Sequence, residues 1–101
     1  MIRHIVFWRL KPELASERLH VSQGIKQALE GLAGRIPGLR CIEVGIDISR
    51  EADSADLVLY SEFDDEAALA AYHHHPEHLR VAPLIKAARS ERWVVDCVAA
   101  D

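Results

Sequence analysis

The stretch Tyr72-His73-His74-His75-Pro76-Glu77-His78 holds the densest acid–base chemistry in this chain. His78 follows Pro76 by two, which places it on the first turn of a helix that Pro76 is suited to open. An imidazole is neutral at pH 7 and can take a proton from a carbon beside a carbonyl, as aldol chemistry requires. Tyr72 lies three residues beyond Leu69, so on a helix it faces the core. A phenol there would donate to a developing enolate or orient His78. On the first strand His4 alternates with Val6 and Trp8 and should point into the same apolar space. The plainer alternative is structural: a helix-start histidine satisfying backbone, a packed tyrosine and a hydrogen-bonded core histidine.

The clustered histidines also raise a metal reading. His74 and His78 are four apart, but Pro76 between them breaks the helical face such a pair needs, and no acidic or cysteine set completes a site, although Glu77 is adjacent. No native metal is expected. The acidic run Asp64-Asp65-Glu66 reads as a cap and a dipole-complementing first turn. Glycine-rich phosphate loops, nucleophile motifs and dinucleotide fingerprints are missing from the sequence, so no cofactor is expected.

The elements that must position these residues follow from periodicity. Residues 2–10 form a strand with Ile2, His4, Val6, Trp8 and Leu10 on one face and Ile5 and Phe7 on the other; apolar on both sides, it should be central. From about Ser16 to Ile36 the period becomes helical, with Ile25, Leu29, Leu32 and Ile36 in one stripe, and Pro37-Gly38 stops it. Residues 39–49 return to period two, with Ile42, Val44, Ile46 and Ile48 facing one way. A polar hairpin loop runs from Arg50 to Asp56, and 57–63 make a third strand with Leu57, Leu59 and Phe63 together. A helix capped by Asp64 or Asp65 runs from Glu66 to about His73 and breaks before Pro76. A short helical piece follows, which Pro83 should interrupt. Arg92 to Val98 is the last strand, with Trp93 packing at its start. The order βαββαβ predicts an α+β, ferredoxin-like domain: a four-stranded antiparallel sheet with helices on one face.

The chain of 101 residues is one domain's length, residues 1–101, and half of it is hydrophobic. Its formal net charge is −4 with no basic stripe, which disfavours nucleic acid. No apolar run is long enough to span a bilayer, and the N-terminus lacks a signal-peptide pattern, so a cytoplasmic location is expected. Cys41 and Cys97 read as reduced, buried thiols.

A ferredoxin-like sheet covered on one face leaves the other bare, and here the bare face would be apolar. That exceeds what a monomer normally exposes, and two-fold pairing of sheet faces is the simplest cover. A homodimer is expected, and any chemistry must then lie under the helices.

The chain resembles the stress-responsive α/β-barrel (Dabb) family. The resemblance rests on the opening strand Arg3-His4-Ile5-Val6-Phe7-Trp8-Arg9-Leu10, on Ile36-Pro37-Gly38 after the first helix, on Gly45-Ile46-Asp47, and above all on the Tyr-x-x-His-Pro-x-His pattern from Tyr72 to His78. It implies a dimeric α+β barrel and no single function. Members of known activity include a plant polyketide cyclase that closes a linear tetraketide without cofactor. Its base histidine, assisting tyrosine and first-strand pocket histidine correspond to His78, Tyr72 and His4, and His75 matches the remaining histidine of the pattern. Trp8 departs from that enzyme's pocket, so the substrate does not carry over. The reading is therefore a dimeric Dabb protein whose pocket, lined by Val6, Trp8 and His75, takes a small apolar, carbonyl-rich or aromatic ligand. The alternatives are a cofactor-free cyclase or lyase with His78 as base, Tyr72 as donor and His4 as anchor, and a monooxygenase-like member of the wider dimeric barrel group.

Overall fold

The strand β1 (Ile2–Leu10) sits inside the sheet, as its two-sided apolarity demands, and the other elements are arranged around it. In the computed structural model, which describes residues 1–100, a 3-10 turn (Pro12–Glu17) leads into α1 (Arg18–Glu30). Then come β2 (Leu39–Ile46), β3 (Leu57–Phe63), α2 (Glu66–His74), α3 (Pro76–Ala88) and β4 (Arg89–Val98). The strands are all antiparallel in the order β2-β3-β1-β4. The ferredoxin-like α+β architecture is thus as the pattern predicts, with three helices where the pattern suggested two and a fragment.

Strand parity sets the layers. Ile2, His4, Val6, Trp8 and Leu10 are buried under the helices, with Val44 on β2 and Leu57, Leu59, Ser61 and Phe63 on β3. Ile25 and Leu29 of α1, Leu69 and Tyr72 of α2, and Val81, Ile85 and Ala88 of α3 close over them. The opposite face carries Ile5, Phe7, Val58, Tyr60, Trp93 and Val95 and has no covering layer; Phe7, Trp93 and Val95 are exposed.

Several boundaries differ from expectation for local reasons. The stripe through Ile36 is real, since Leu32 and Ile36 are both buried, but α1 ends at Glu30. Beyond it the chain tightens into i→i+3 bonds (Leu32 N–H to the Leu29 carbonyl, 3.0 Å; Arg35 N–H to Leu32, 3.0 Å) and turns at Gly34, whose φ is +77°. β2 stops at Ile46, because Asp47 turns its carboxylate onto the Ser49 hydroxyl and the Arg50 N–H at 2.8 and 2.9 Å. Ile48, expected on the apolar face, is therefore 94% exposed. Asp65, not Asp64, caps α2 by accepting from the Ala68 N–H.

Pro83 does not interrupt α3. The carbonyl it deprives of an amide is that of Leu79, on the exposed side of the helix, while Val81, Ile85 and Ala88 keep the buried side continuous. Trp93 does not pack within the chain; it lies on the bare face with the Arg9 guanidinium 5.6 Å above its ring. Cys41 is exposed and Cys97 half-buried, not the buried thiols expected, because both point to the uncovered side, on β2 and β4 at opposite edges of the sheet.

Candidate functional site

A cavity of about 220 Å³ lies between the covered sheet face and helices α2 and α3. β1 supplies His4, Val6 and Trp8; α2 supplies Tyr72 and His73; α3 supplies His78. The two helices deliver their residues to one place because His75 and Pro76 join them without a loop. His75 has extended backbone (φ −68°, ψ 136°), ends α2 and caps α3, its Nδ1 accepting the Glu77 N–H at 3.1 Å. That role takes His75 out of the pocket in which its place in the histidine pattern had put it. Val6, Trp8, His4, Tyr72 and His78 all line the cavity.

The rings form a tight set. Tyr72 and His78 have centroids 4.4 Å apart, His4 and His73 5.5 Å, Tyr72 and His73 5.5 Å, and His4 and Tyr72 6.1 Å. Phe63, 5.0 Å from Tyr72, backs the cluster from β3. His4 is 2% exposed, and its Nδ1 lies 2.5 Å from the Asp96 carboxylate on β4, the register partner of His4. A carboxylate accepts only, so the proton sits on Nδ1 and Nε2 is left for the cavity side. Asp96 and His73, with the cavity-lining Lys86, Arg89 and Arg92, are residues that sequence reasoning missed here. His73 also separates this cavity from a second hollow of about 330 Å³ bounded by Ile2, Leu69, Asp96 and Val98.

Burial decides the protonation states. It pushes the Tyr72 phenol up to about 12, against a smaller opposing effect of Arg92, so Tyr72 is a donor at neutral pH. Burial likewise pulls His78 below the ordinary imidazole value, helped by the His73 and His4 rings and by Arg92 and opposed by the His73 backbone. His73 is lowered for the same first reason. His78 is thus a neutral acceptor, and its Nδ1 is buried with no hydrogen-bond partner among the described residues. Among those residues no group of three or more His, Cys, Asp or Glu side chains is placed to hold a metal ion.

A neutral imidazole against a protonated phenol suits proton transfer next to a carbonyl. The family assignment rests on the chain as a whole: the model of the stress responsive A/B barrel domain (Dabb) matches residues 2–99. This chain belongs to the Dabb family. The Dabb chain is 32% identical to a dimeric protein of unknown function and ferredoxin-like fold from Bacteroides fragilis, with a TM-score of 0.86 over 95% of this chain and 93% of that one. A dimeric ferredoxin-like protein of unknown function from Jannaschia sp. is 29% identical, TM-score 0.73, over 97% and 98% of the two chains. The hydroxynitrile lyase of Passiflora edulis shares the fold at 22% identity, TM-score 0.80, over 99% and 94%. No curated protein matches the Dabb chain at a significant level. Among the described residues no helix is long and apolar enough to cross a membrane.

Proposed function

We propose that this Dabb domain is a cytoplasmic homodimer, paired through its bare sheet faces, that performs cofactor-free proton transfer on a small carbonyl compound in the cavity of each subunit. The observation that carries the chemistry is the 4.4 Å approach of Tyr72 to His78, whose Nδ1 is buried with no hydrogen-bond partner among the described residues. A carbonyl oxygen and the carbon beside it are close enough together to meet both groups at once. His78 takes the proton from carbon, Tyr72 donates to the oxygen as enolate charge develops, and the Asp96-held His4 anchors the substrate or receives the second polar group. An enolate so formed is the common first intermediate of aldol closure. Val6 and Trp8 give the apolar floor that suits an aromatic or ketide-like body. The dimeric state of similar proteins supports the assembly.

The test needs no knowledge of the natural substrate. Benzoylacetone in deuterated buffer exchanges its acidic C–H, and NMR follows the rate. Native protein should accelerate exchange above buffer, His78→Ala should return it to the buffer rate, and Tyr72→Phe should fall between. No acceleration across a panel of such diketones would rule out the acid–base reading.

A further inference from the structure

The other end of the cavity is lined by cations: Lys86 and Arg89 from the end of α3 and the start of β4, and Arg92 from β4. The chain has a net charge of −4, yet among the described residues no Asp or Glu lines this cavity. Glu91, between the two arginines, alternates to the far side of the sheet and pairs with Arg9 at 3.1 Å; Asp96 is taken by His4. Among the described residues none of the three cations has an ion-pair partner, whereas Arg9, Arg18, Arg50 and Arg80 all do. Compensation of the α3 dipole accounts for a charge at Lys86 and Arg89. It does not account for Arg92, which sits on a strand and faces the same hollow.

The register gives the separation. Asp96 stands opposite His4, Arg92 opposite Trp8 and Arg89 opposite Leu10, so Arg92 begins roughly 13 Å along β4 from the histidine end. Lys86 is eight residues past His78, about 12 Å along α3. Arg92 is near enough for its charge to act on Tyr72, His73 and His78. Between the two ends the wall is apolar, formed by Val6, Trp8, Leu29, Leu59 and Ile85. Three like charges around one apolar hollow repel one another, and an anion relieves that repulsion.

We propose that the cavity selects a molecule with a carboxylate at the Lys86–Arg89–Arg92 end and an apolar or aromatic body over Trp8. Its reacting carbonyl would then fall at His78, so the orientation rests on the proton-transfer reading above, while the anion selectivity stands apart from it. A carboxylate is assigned rather than a phosphate because two of the three cations, Lys86 and Arg89, stand at the C-terminal end of α3, where backbone carbonyls disfavour a dianion and no row of N–H groups is on offer.

Calorimetric titration with 4-butylbenzoate, neutral 4-butylbenzamide and 4-butylphenyl phosphate tests this directly. The benzoate should bind at least tenfold more tightly than the amide and more tightly than the phosphate. The Lys86→Gln/Arg89→Gln/Arg92→Gln triple variant should lose that preference while keeping the amide's affinity, and Arg92→Lys should retain part of it. Equal binding of acid and amide, a preference that survives the triple variant, tighter phosphate binding, or no binding of any probe would each overturn the proposal. Carboxylate-selective binding by a protein that fails to catalyse deuterium exchange would uphold it and refute the proton-transfer reading alone.

Discussion

His78 and His73 are imidazoles that the fold holds away from their protons, and this has a consequence for stability as well as for chemistry. Both are lowered chiefly by burial. The unfolded chain binds these protons near the ordinary value of 6.5, the native chain only at lower pH. As pH falls through 6.5 the unfolded state therefore takes up more protons than the native one, and stability declines; above 6.5 the contribution is fully present. Glu30, Glu62 and Glu77 are also shifted downward, from 4.5, so their stabilisation is lost only as pH falls below that value. Urea midpoints at fixed protein concentration should fall between pH 6.5 and 5, and His78→Gln should flatten that slope whatever it does to the absolute level. A midpoint constant from pH 7.5 to 5 would contradict the partial burial assigned to His78. The acid limb of deuterium exchange should lie below pH 6.5 for the same reason, with a plateau above it.

The elements are locked by a carboxylate far from the cavity. Asp56, 7% exposed at the entry to β3, accepts from the Leu10 N–H at 2.8 Å, from Arg18 Nε at 3.1 Å and from Arg50 Nη1 at 3.0 Å. Its own N–H donates to the Trp8 carbonyl at 2.8 Å. One side chain thus ties the end of β1, the start of α1 and the β2–β3 loop. Asp56→Ala strands a mostly buried Arg18 and an unpaired N–H, at a cost of about 3 kcal/mol, measurable as a lower urea midpoint with unchanged slope. A loss under about 1 kcal/mol would mean that water replaces the carboxylate. Nothing in the sequence around Asp56 signals this knot, because the two partners that tie it to other elements, Arg18 and Leu10, are 38 and 46 residues away. What was legible is whatever period carries: the parity of His4, Val6 and Trp8, the α1 stripe, and the break at Pro76. Asp96 and Arg92 were invisible as site residues because their place depends on the β1–β4 register, which no local pattern encodes. Pro83 misled because a proline's cost in a helix depends on which side of the helix it faces, and that is settled by packing.

At the scale of the whole molecule the unfinished surface is the sheet face bearing Ile5, Phe7, Val58, Trp93 and Val95. Four strands about 4.8 Å apart and some eight residues long at about 3.3 Å each present roughly 500 Å² per chain, so pairing two faces covers roughly 1,000 Å², enough for a specific dimer if the packing is good. Phe7 and Trp93 are register partners on neighbouring strands, so both stand on the β1–β4 side of that face. A charge placed there has no partner once the faces close, and burying it costs far more than one residue's apolar contact returns. Phe7→Glu combined with Val95→Glu should therefore give a monomer in sedimentation at micromolar concentration, where the native chain should sediment as a dimer. Its thermal midpoint should lose the concentration dependence that a dimer's must show. The strand residues lining the helix-side cavity, His4, Val6, Trp8 and Arg92, lie on the face opposite the bare one, so the monomeric variant should still bind 4-butylbenzoate. If dissociation abolishes that binding, the partner completes the pocket, and the separation of an assembly face from a chemical face fails.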